Sequence, residues 1–187
     1  MNQHWQVWYG GLPEDQVNSI INTCNNYPIH PATIGDVNVT SDQDYRRSDI
    51  RWINPLVEDN ITNMLWYHAL EANRAAFGFH IDYLSEIQFT EYHSTNLGKY
   101  DWHIDTFWAN NRTYDRKISI VVQLTESSEY EGGDFQFDHN TPQIDPIAVR
   151  QRGTVIVFPS FLSHRVTPVT SGTRRSLVAW VEGPKFR

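Results

Sequence analysis

A histidine and an aspartate two positions apart are the residues that most directly suggest chemistry. In His103-Ile104-Asp105, the imidazole and the carboxylate would point to the same face of a strand, where both could bind one metal ion. The spacing alone is weak evidence, because His80-Ile81-Asp82 repeats it. The surrounding segments must decide between the two pairs, and they favour His103.

The pair at His103 is accompanied by motifs that the pair at His80 lacks. In chain order these motifs are Tyr92, Tyr100, Gly132-Gly133-Asp134, His164-Arg165-Val166-Thr167-Pro168-Val169 and Gly172-Thr173-Arg174. With this combination, roughly residues 46–180 resemble the prolyl 4-hydroxylase-like branch of the Fe(II)/2-oxoglutarate oxygenases, in particular the PKHD-type hydroxylases. In that family a His-x-Asp pair and a distal histidine hold the metal. The resemblance implies that His103, Asp105 and His164 are the Fe(II) ligands and form the catalytic centre.

The same resemblance implies a site for 2-oxoglutarate. The family's basic residue for the far carboxylate lies nine or ten positions beyond the distal histidine, and Arg174 lies ten positions beyond His164. Strand alternation would place Arg174 and Arg175 on opposite faces, and we predict that Arg174 is the one in the pocket. Its face would also carry Ser176, Val178 and Trp180. Tyr92 looks like the family's hydrogen-bond partner for this carboxylate, and Gln123, where relatives often carry tyrosine, could also point into the pocket.

Four residues are candidates for substrate binding. Arg116 leads a stretch that resembles the family's arginine-led core strand. Arg47 and Ser48 lie in a shorter stretch that resembles an Arg-x-Ser-type strand near the peptide groove of prolyl hydroxylases. Trp108 follows the His-x-Asp pair and could form an apolar wall that stacks against a proline ring. We expect these four side chains to contact the substrate.

Two imidazoles and one carboxylate suit Fe(II), because they hold one face of its octahedron and leave three positions open. The resemblance implies that 2-oxoglutarate and O2 are cosubstrates, that decarboxylation to succinate and CO2 accompanies hydroxylation of a C–H bond, and that ascorbate is the reductant. We expect the substrate to be a prolyl residue in a peptide or protein. Two alternatives stay open: the same chemistry on a small molecule or nucleobase, and a non-catalytic metal-binding jelly-roll module.

Two helices are predicted in the first half of the chain. Pro13 is followed by two acidic residues, a typical helix start, and apolar residues at helical spacing continue to Cys24. A second apolar stripe at helical spacing lies between Pro55 and Gly78. We therefore predict that helices dominate this half.

The second half has the composition of short strands. These are predicted at Leu84–Tyr92, Lys117–Thr125, Phe135–Phe137, Thr154–Phe158 and Leu177–Val181. The acidic stretch Glu126–Glu131 is interpreted as a solvated loop before the Gly-Gly turn. We predict one mainly β domain over residues 1–187, with a helical part of about 1–80 packed against a double-stranded β-helix, or jelly-roll, core of about 81–187.

Charge and composition restrict the partners and the compartment. The formal net charge of -7 argues against a surface that tracks phosphates, so a nucleic-acid partner is not expected. The single cysteine, Cys24, argues against an internal disulfide, and no segment reaches the roughly 18 apolar residues of a membrane span. We therefore expect a cytoplasmic protein that does not engage a membrane.

Overall fold

The computed structural model describes residues 3–32, 44–108 and 112–186. Its strands are β1 (Gln6–Trp8), β2 (His30–Pro31), β3 (Arg46–Arg47), β4 (Asp49–Ile53), β5 (Tyr83–His93), β6 (Lys99–His103), β7 (Tyr114–Gln123), β8 (Tyr130–Gly132), β9 (Phe135–Phe137), β10 (Val155–Pro159), β11 (His164–Val166) and β12 (Val169–Pro184). The helices are α1 (Glu14–Cys24) and α2 (Asp59–Ala72). The predicted mainly β fold with flanking helices is confirmed.

The strands form two antiparallel sheets. The main sheet has the order β1-β10-β7-β12-β5-β4-β2, and β8 also pairs with β12. The minor sheet has the order β3-β6-β11-β9. Both inner faces contribute residues to one cavity, so the cavity lies between the sheets.

The long strand β12 shows how the main sheet separates its two faces. Leu177, Ala179 and Val181 are fully buried and pack in the hydrophobic core with residues of both helices. The alternate positions Ser176 and Val178 line the cavity instead. Because side chains of a strand alternate between faces, the same strand builds the core on one side and the cavity on the other.

Both helices cover the apolar face of the main sheet. Val17 and Ile20 of α1, and Leu65 and Ala69 of α2, are buried in that core at the predicted helical spacing. A π-helical turn continues α2, and Gly78 ends it with a positive φ of 67°, a conformation that glycine adopts without steric cost. The predicted helices are therefore confirmed, including the role of Gly78 as the stop.

A bulge in β7 changes the direction of its side chains. Consecutive residues Val181 and Glu182 of β12 pair with Ile118 and Arg116, so that Lys117 is an extra residue on β7. An extra residue shifts the alternation by one position. Arg116 and Ser119 therefore both face the cavity side, although they lie three positions apart.

The first 80 residues are less helical than predicted. Four strands, β1 to β4, fall within the described part of this segment, and β4 pairs with β5 in the main sheet. These strands have two to five residues, too few for a periodic pattern, and they form because longer strands pair with them. The predicted acidic loop also differs, because Tyr130 is buried and begins strand β8. No helix among the described residues is long and apolar enough to span a membrane.

Candidate metal centre and adjoining cavity

Three candidate metal ligands converge between the sheets. His103 ends β6 and His164 begins β11, and the two residues face each other in the register of these strands. Nε2 of His103 lies 3.7 Å from Oδ1 of Asp105, and Nε2 of His164 lies 3.6 Å from Oδ2. One donor atom from each of the three side chains lies within 4.8 Å of the others, a cluster that can hold one metal ion.

The backbone fixes which nitrogen of each histidine is available. Nδ1 of His103 lies 2.7 Å from the carbonyl oxygen of Asp101, and Nδ1 of His164 lies 2.9 Å from that of Leu162. A carbonyl oxygen only accepts, so Nδ1 carries the proton and donates in both rings. Each Nε2 then keeps its lone pair directed toward Asp105, which is the tautomer that metal binding needs.

Burial and neighbouring charge set the protonation of the cluster. Burial and the adjacent His164 lower the pKa of His103 to about 3, so its imidazole is neutral near pH 7. Burial disfavours the charged form of Asp105, but the two histidines and Arg116 outweigh burial and lower its pKa to about 2. His103 and Asp105 therefore present a neutral nitrogen and a carboxylate, the forms that bind a divalent cation.

The ligands open into a cavity of about 510 Å³. Its wall on the main sheet carries mostly polar and aromatic side chains, with one valine: Glu86, Gln88 and Tyr92 from β5, and Arg174, Ser176, Val178 and Trp180 from β12. The β12 set is the one that strand alternation predicts. A site for a polar ligand thus adjoins the three candidate metal ligands.

Arg174 is a buried cation in this wall. Its residue is 1% exposed, and its Nη2 donates to Oε1 of Gln123 at 2.5 Å. Its Nη1 donates to Oγ of Ser176 at 3.4 Å, and its Nε is buried without a hydrogen-bond partner among the described residues. A buried guanidinium with an unused donor suits a carboxylate ligand.

The neighbouring Arg175 lies on the opposite face of β12. Its Nε donates to Oε1 of Glu91 at 2.9 Å, and Glu91 also pairs with Arg51. Arg175 is thereby engaged in an ion-pair network that is separate from the cavity. The structure places Arg174, and not Arg175, where the sequence analysis expects the cosubstrate residue.

Tyr92 and Gln123 have different relations to the cavity. Tyr92 lines it, with Cζ of Arg174 5.5 Å from the centre of its ring, and burial raises its pKa so that the hydroxyl stays protonated. Gln123 does not line the cavity, contrary to expectation. It lies behind Arg174, where its Nε2 also donates to the hydroxyl of Tyr130 at 3.1 Å. Gln123 holds Arg174 in place because its carbonyl faces the guanidinium.

Arg116 lines the cavity as predicted for a substrate-contacting residue. Its guanidinium lies 4.0 Å from the ring centre of Trp180 and forms an ion pair with Glu86. Nε of Arg116 and Nε1 of Trp180 are buried without hydrogen-bond partners among the described residues. This wall therefore holds two donors whose hydrogen bonds are not made within the described residues.

The expected roles of Arg47 and Ser48 fall instead to Arg46. Arg46 lines the cavity, 8% exposed, and its Cζ lies 4.4 Å from the ring centre of Tyr100. Ser48 accepts a hydrogen bond from Nε of Arg46 at 3.0 Å and so acts through it, while Arg47 is outside the cavity lining. Residues two apart on a strand share a face, so the position of Arg46 could have been predicted from its spacing of two residues from Ser48.

Trp108 also lies outside the described cavity lining, contrary to expectation. Its ring packs against Phe186, with 5.6 Å between ring centres, and the residue is 55% exposed. Phe107 lines the cavity in its place. A loop residue has no fixed alternation, which is why the sequence did not distinguish the two aromatic neighbours.

The rival pair at His80 and Asp82 does not gather a third ligand. Nε2 of His80 lies 3.0 Å from Oδ1 of Asp82 on the surface, and the His80 side chain is 74% exposed. Within the part of the chain that the structure describes, the cluster at His103 is the one group of three ligand-type side chains at metal-binding distance. The structure thus separates two motifs of identical spacing.

Comparison with known proteins agrees with this geometry. The family model described as the 2OG-Fe(II) oxygenase superfamily matches residues 87–182 of the chain. A PKHD-type hydroxylase from Synechococcus sp. (strain CC9311) is 38% identical over 85 residues, 46% of this chain and 37% of that protein. One from Colwellia psychrerythraea is 38% identical over 90 residues, 48% of this chain and 40% of that protein. The matched segment thus spans less than half of the length of these relatives.

Solved structures share the fold at low sequence identity. A prolyl-4-hydroxylase from Pseudomonas putida superposes with a TM-score of 0.73 at 22% identity, covering 98% of this chain and 94% of that one. The viral collagen prolyl hydroxylase of Paramecium Bursaria Chlorella virus-1 gives a TM-score of 0.68 at 19% identity, covering 97% of both chains. The predicted jelly-roll fold and the predicted family are confirmed: this chain belongs to the 2OG-Fe(II) oxygenase superfamily.

Proposed function

We propose that this protein is an Fe(II)- and 2-oxoglutarate-dependent hydroxylase that acts on a prolyl residue in a peptide or protein, with ascorbate as a reductant. The observation that carries the proposal is the convergence of His103, Asp105 and His164 beside the buried Arg174 in one cavity. Zinc-binding by a non-catalytic module needs the three ligands but gives no reason for the buried arginine. The combination favours an oxygenase.

The residues present fit Fe(II). Two Nε2 atoms and one carboxylate would hold the ion, which supplies the activation of O2 that accompanies decarboxylation of 2-oxoglutarate. The ring of Tyr100 stacks on His103, with 3.5 Å between ring centres and 13° between planes. This stacking and the Nδ1 hydrogen bonds keep the donor atoms oriented before a metal arrives.

The surroundings of Arg174 fit the far carboxylate of 2-oxoglutarate. A guanidinium can donate two parallel hydrogen bonds to a carboxylate, and the protonated hydroxyl of Tyr92 can add a third. Gly133, at a positive φ of 64°, leaves room for the arginine, since a Cβ there would come within 3.0 Å of Cδ of Arg174. Burial of the cation excludes water that would compete for the carboxylate.

The mouth of the cavity favours a polypeptide substrate. Trp52 and Phe107 line it and are still 44% and 47% exposed. Aromatic surface that continues outside a cavity suits a chain that extends beyond the reacting residue. The unused donors of Arg116 and Trp180 suit peptide carbonyl groups. Solved prolyl hydroxylases with the same fold, one of them in complex with a peptide fragment of a hypoxia inducible factor, support this choice.

An anaerobic titration tests the cofactor part of the proposal. Adding Fe(II) and then 2-oxoglutarate to the folded protein should produce the visible charge-transfer band of a metal-bound keto acid. His103→Ala should remove the band, whereas the matched control His80→Ala, in the exposed pair with the same spacing, should retain it. Folded wild-type protein without a band would contradict the oxygenase assignment.

A turnover assay tests the substrate part. The protein is incubated with Fe(II), 2-oxoglutarate, ascorbate and O2, together with proline-containing peptides and the same peptides with alanine in place of proline. We expect succinate release that proline peptides stimulate, and a product heavier by one oxygen atom in mass spectrometry. Stimulation by a small molecule or a nucleobase instead would redirect the proposal to that substrate class.

A further inference from the structure

Two buried serine hydroxyls connect to Asp105 in a chain of hydrogen bonds. Oγ of Ser119 donates to Oδ2 of Asp105 at 2.7 Å, and Oγ of Ser160 lies 2.9 Å from Oγ of Ser119. The proton of Ser119 is committed to the carboxylate, which only accepts, so Ser160 is the donor in the second bond. Both serines have no exposed surface. The direction of the chain is therefore Ser160 to Ser119 to Asp105.

The bulge in β7 brings Arg116 to the same side of the strand as Ser119, beside Asp105. With the extra residue Lys117, Arg116 and Ser119 face the same side of the strand, and both lie near the carboxylate of Asp105. Regular alternation over these positions would give Arg116 and Ser119 opposite faces. The local break in the strand is what allows a hydroxyl and a guanidinium to act on one carboxylate.

Ser160 also holds the backbone on which two of the metal ligands depend. Its carbonyl oxygen accepts hydrogen bonds from the backbone N–H of Asp105 at 2.8 Å and of Thr106 at 3.2 Å. Its own N–H donates to the carbonyl of Lys117 at 3.0 Å. Ser160 begins the turn between β10 and β11, four residues before His164. One residue thus ties the Asp105 loop, the His164 turn and β7 together.

We propose that the Ser160–Ser119 hydroxyl pair positions Asp105 as a metal ligand through one oxygen only. The proposal rests on the proposed function, because it concerns the metal that this site would hold. The hydrogen bond from Ser119 occupies Oδ2 of Asp105. It would keep the carboxylate from rotating into an orientation in which both oxygens bind the metal ion. One-oxygen binding leaves three metal positions open, the number that a two-point cosubstrate and O2 require.

Metal affinity is the direct test. The wild-type chain and its variants are titrated with Mn(II), a redox-stable probe, and free Mn(II) is measured by its electron paramagnetic resonance signal. We expect Ser119→Ala to weaken Mn(II) binding by about tenfold or more, the usual effect of losing a hydrogen-bond partner of a metal ligand. Ser160→Ala should weaken binding less, because Ser119 can still donate. Ser119→Thr keeps the hydroxyl and should lose much less affinity than Ser119→Ala.

Thr154→Val is the matched control, because it removes an equally buried hydroxyl that accepts a hydrogen bond from Gly10 and has no contact with Asp105. It should bind Mn(II) like the wild type. Infrared spectra of the Mn(II) complexes give a second measurement, since the separation of the two carboxylate stretching bands distinguishes one-oxygen from two-oxygen binding. We expect that separation to narrow in Ser119→Ala.

The outcomes separate this inference from the proposed function. If the folded wild type binds no Mn(II), the metal site itself is refuted and both proposals fail. If the wild type binds and Ser119→Ala binds equally well with an unchanged band separation, the serine pair is only structural and the proposed function stands. If Ser119→Thr and Thr154→Val lose as much affinity as Ser119→Ala, a general packing defect explains the loss and the inference is overturned.

Discussion

The two faces of the main sheet bury side chains of different polarity, although the same strands form both faces. Along β12 the outward residues Leu177 and Ala179 are apolar and pack against the helix side of the core. The inward residues Arg174 and Ser176 are as deeply buried but polar. The outward face is stabilised by burial of apolar surface, and the inward face by hydrogen bonds that leave donors for a ligand.

Residues that support ligand binding and residues that support folding therefore occupy alternate positions of the same strand. Removal of an inward polar group should affect ligand binding more than folding, because several of these groups have incomplete hydrogen bonding without a ligand. Removal of an outward apolar group should affect folding more than binding. Substitutions at alternate positions of one strand can test this separation.

The largest expected effect is that of His164→Ala at the metal centre. Loss of one of three ligands should abolish the Fe(II)–2-oxoglutarate charge-transfer band and turnover. The metal-free variant should still fold, as circular dichroism would show, because it loses one hydrogen bond, to Leu162, and the ring contacts with Phe135 and Phe158 but no other part of the core. Full turnover by this variant would exclude His164 as a ligand.

On the outward face, Leu177→Ala should reduce the free energy of unfolding by about 2–5 kcal/mol, because it opens a cavity in a fully buried core. The KM for 2-oxoglutarate should be unchanged at a temperature where the variant is folded. Urea unfolding and steady-state kinetics measure the two quantities. A raised KM with normal stability would mean that the two faces are not independent.

Arg174→Ala should raise the KM for 2-oxoglutarate by roughly 10- to 150-fold, which corresponds to about 1.5–3 kcal/mol for charge-assisted hydrogen bonds. Arg175→Ala is its matched control on the opposite face and should leave this KM near the wild-type value. Both are measured by succinate formation at varied 2-oxoglutarate. If Arg175→Ala alone produced the effect, the assignment of faces would be wrong.

The smallest expected effect concerns Glu91 on the outward face. Burial disfavours its charged form, but hydrogen bonds from Arg51 and Arg175 outweigh burial and lower its pKa below the ordinary value of 4.5. Its stabilising contribution is therefore present above that value and is lost as the pH falls through the lowered pKa. Glu91→Gln should remove this pH dependence.

Chemical denaturation at pH 7 and at pH 3 measures the effect. The wild type should lose more stability between these pH values than Glu91→Gln, by about 1 kcal/mol. Equal losses in the two proteins would mean that the ion pairs with Arg51 and Arg175 do not contribute. The 2-oxoglutarate KM should not differ between them at pH 7.

Local periodicity was enough to predict much of this arrangement. The end of the second helix at Gly78 and the inward direction of Arg174 both follow from regular spacing, which a sequence displays directly. The confirmed family resemblance supplied the choice of His103 over His80. The same period of two, applied to Ser48, would also have selected Arg46 over Arg47.

The remaining features depend on contacts between distant segments. The contact of Trp108 with Phe186 joins residues 78 positions apart, and the support of Arg174 by Gln123 joins residues 51 positions apart. Neither pairing has a local signature. The hydrogen bond from Ser119 to Asp105 is a third contact of this kind, because it joins residues 14 positions apart.

The bulge at Lys117 also limits how β7 can be redesigned. Deleting this one residue would restore regular pairing with β12 and would turn Arg116 toward the apolar, helix-covered layer, where an unpaired charge is strongly unfavourable. A library of variants built on the assumption of strict alternation would therefore disrupt the cavity through a residue that does not line it. In this strand, the number of residues between Arg116 and Ser119 matters for the cavity as much as the identity of these two residues.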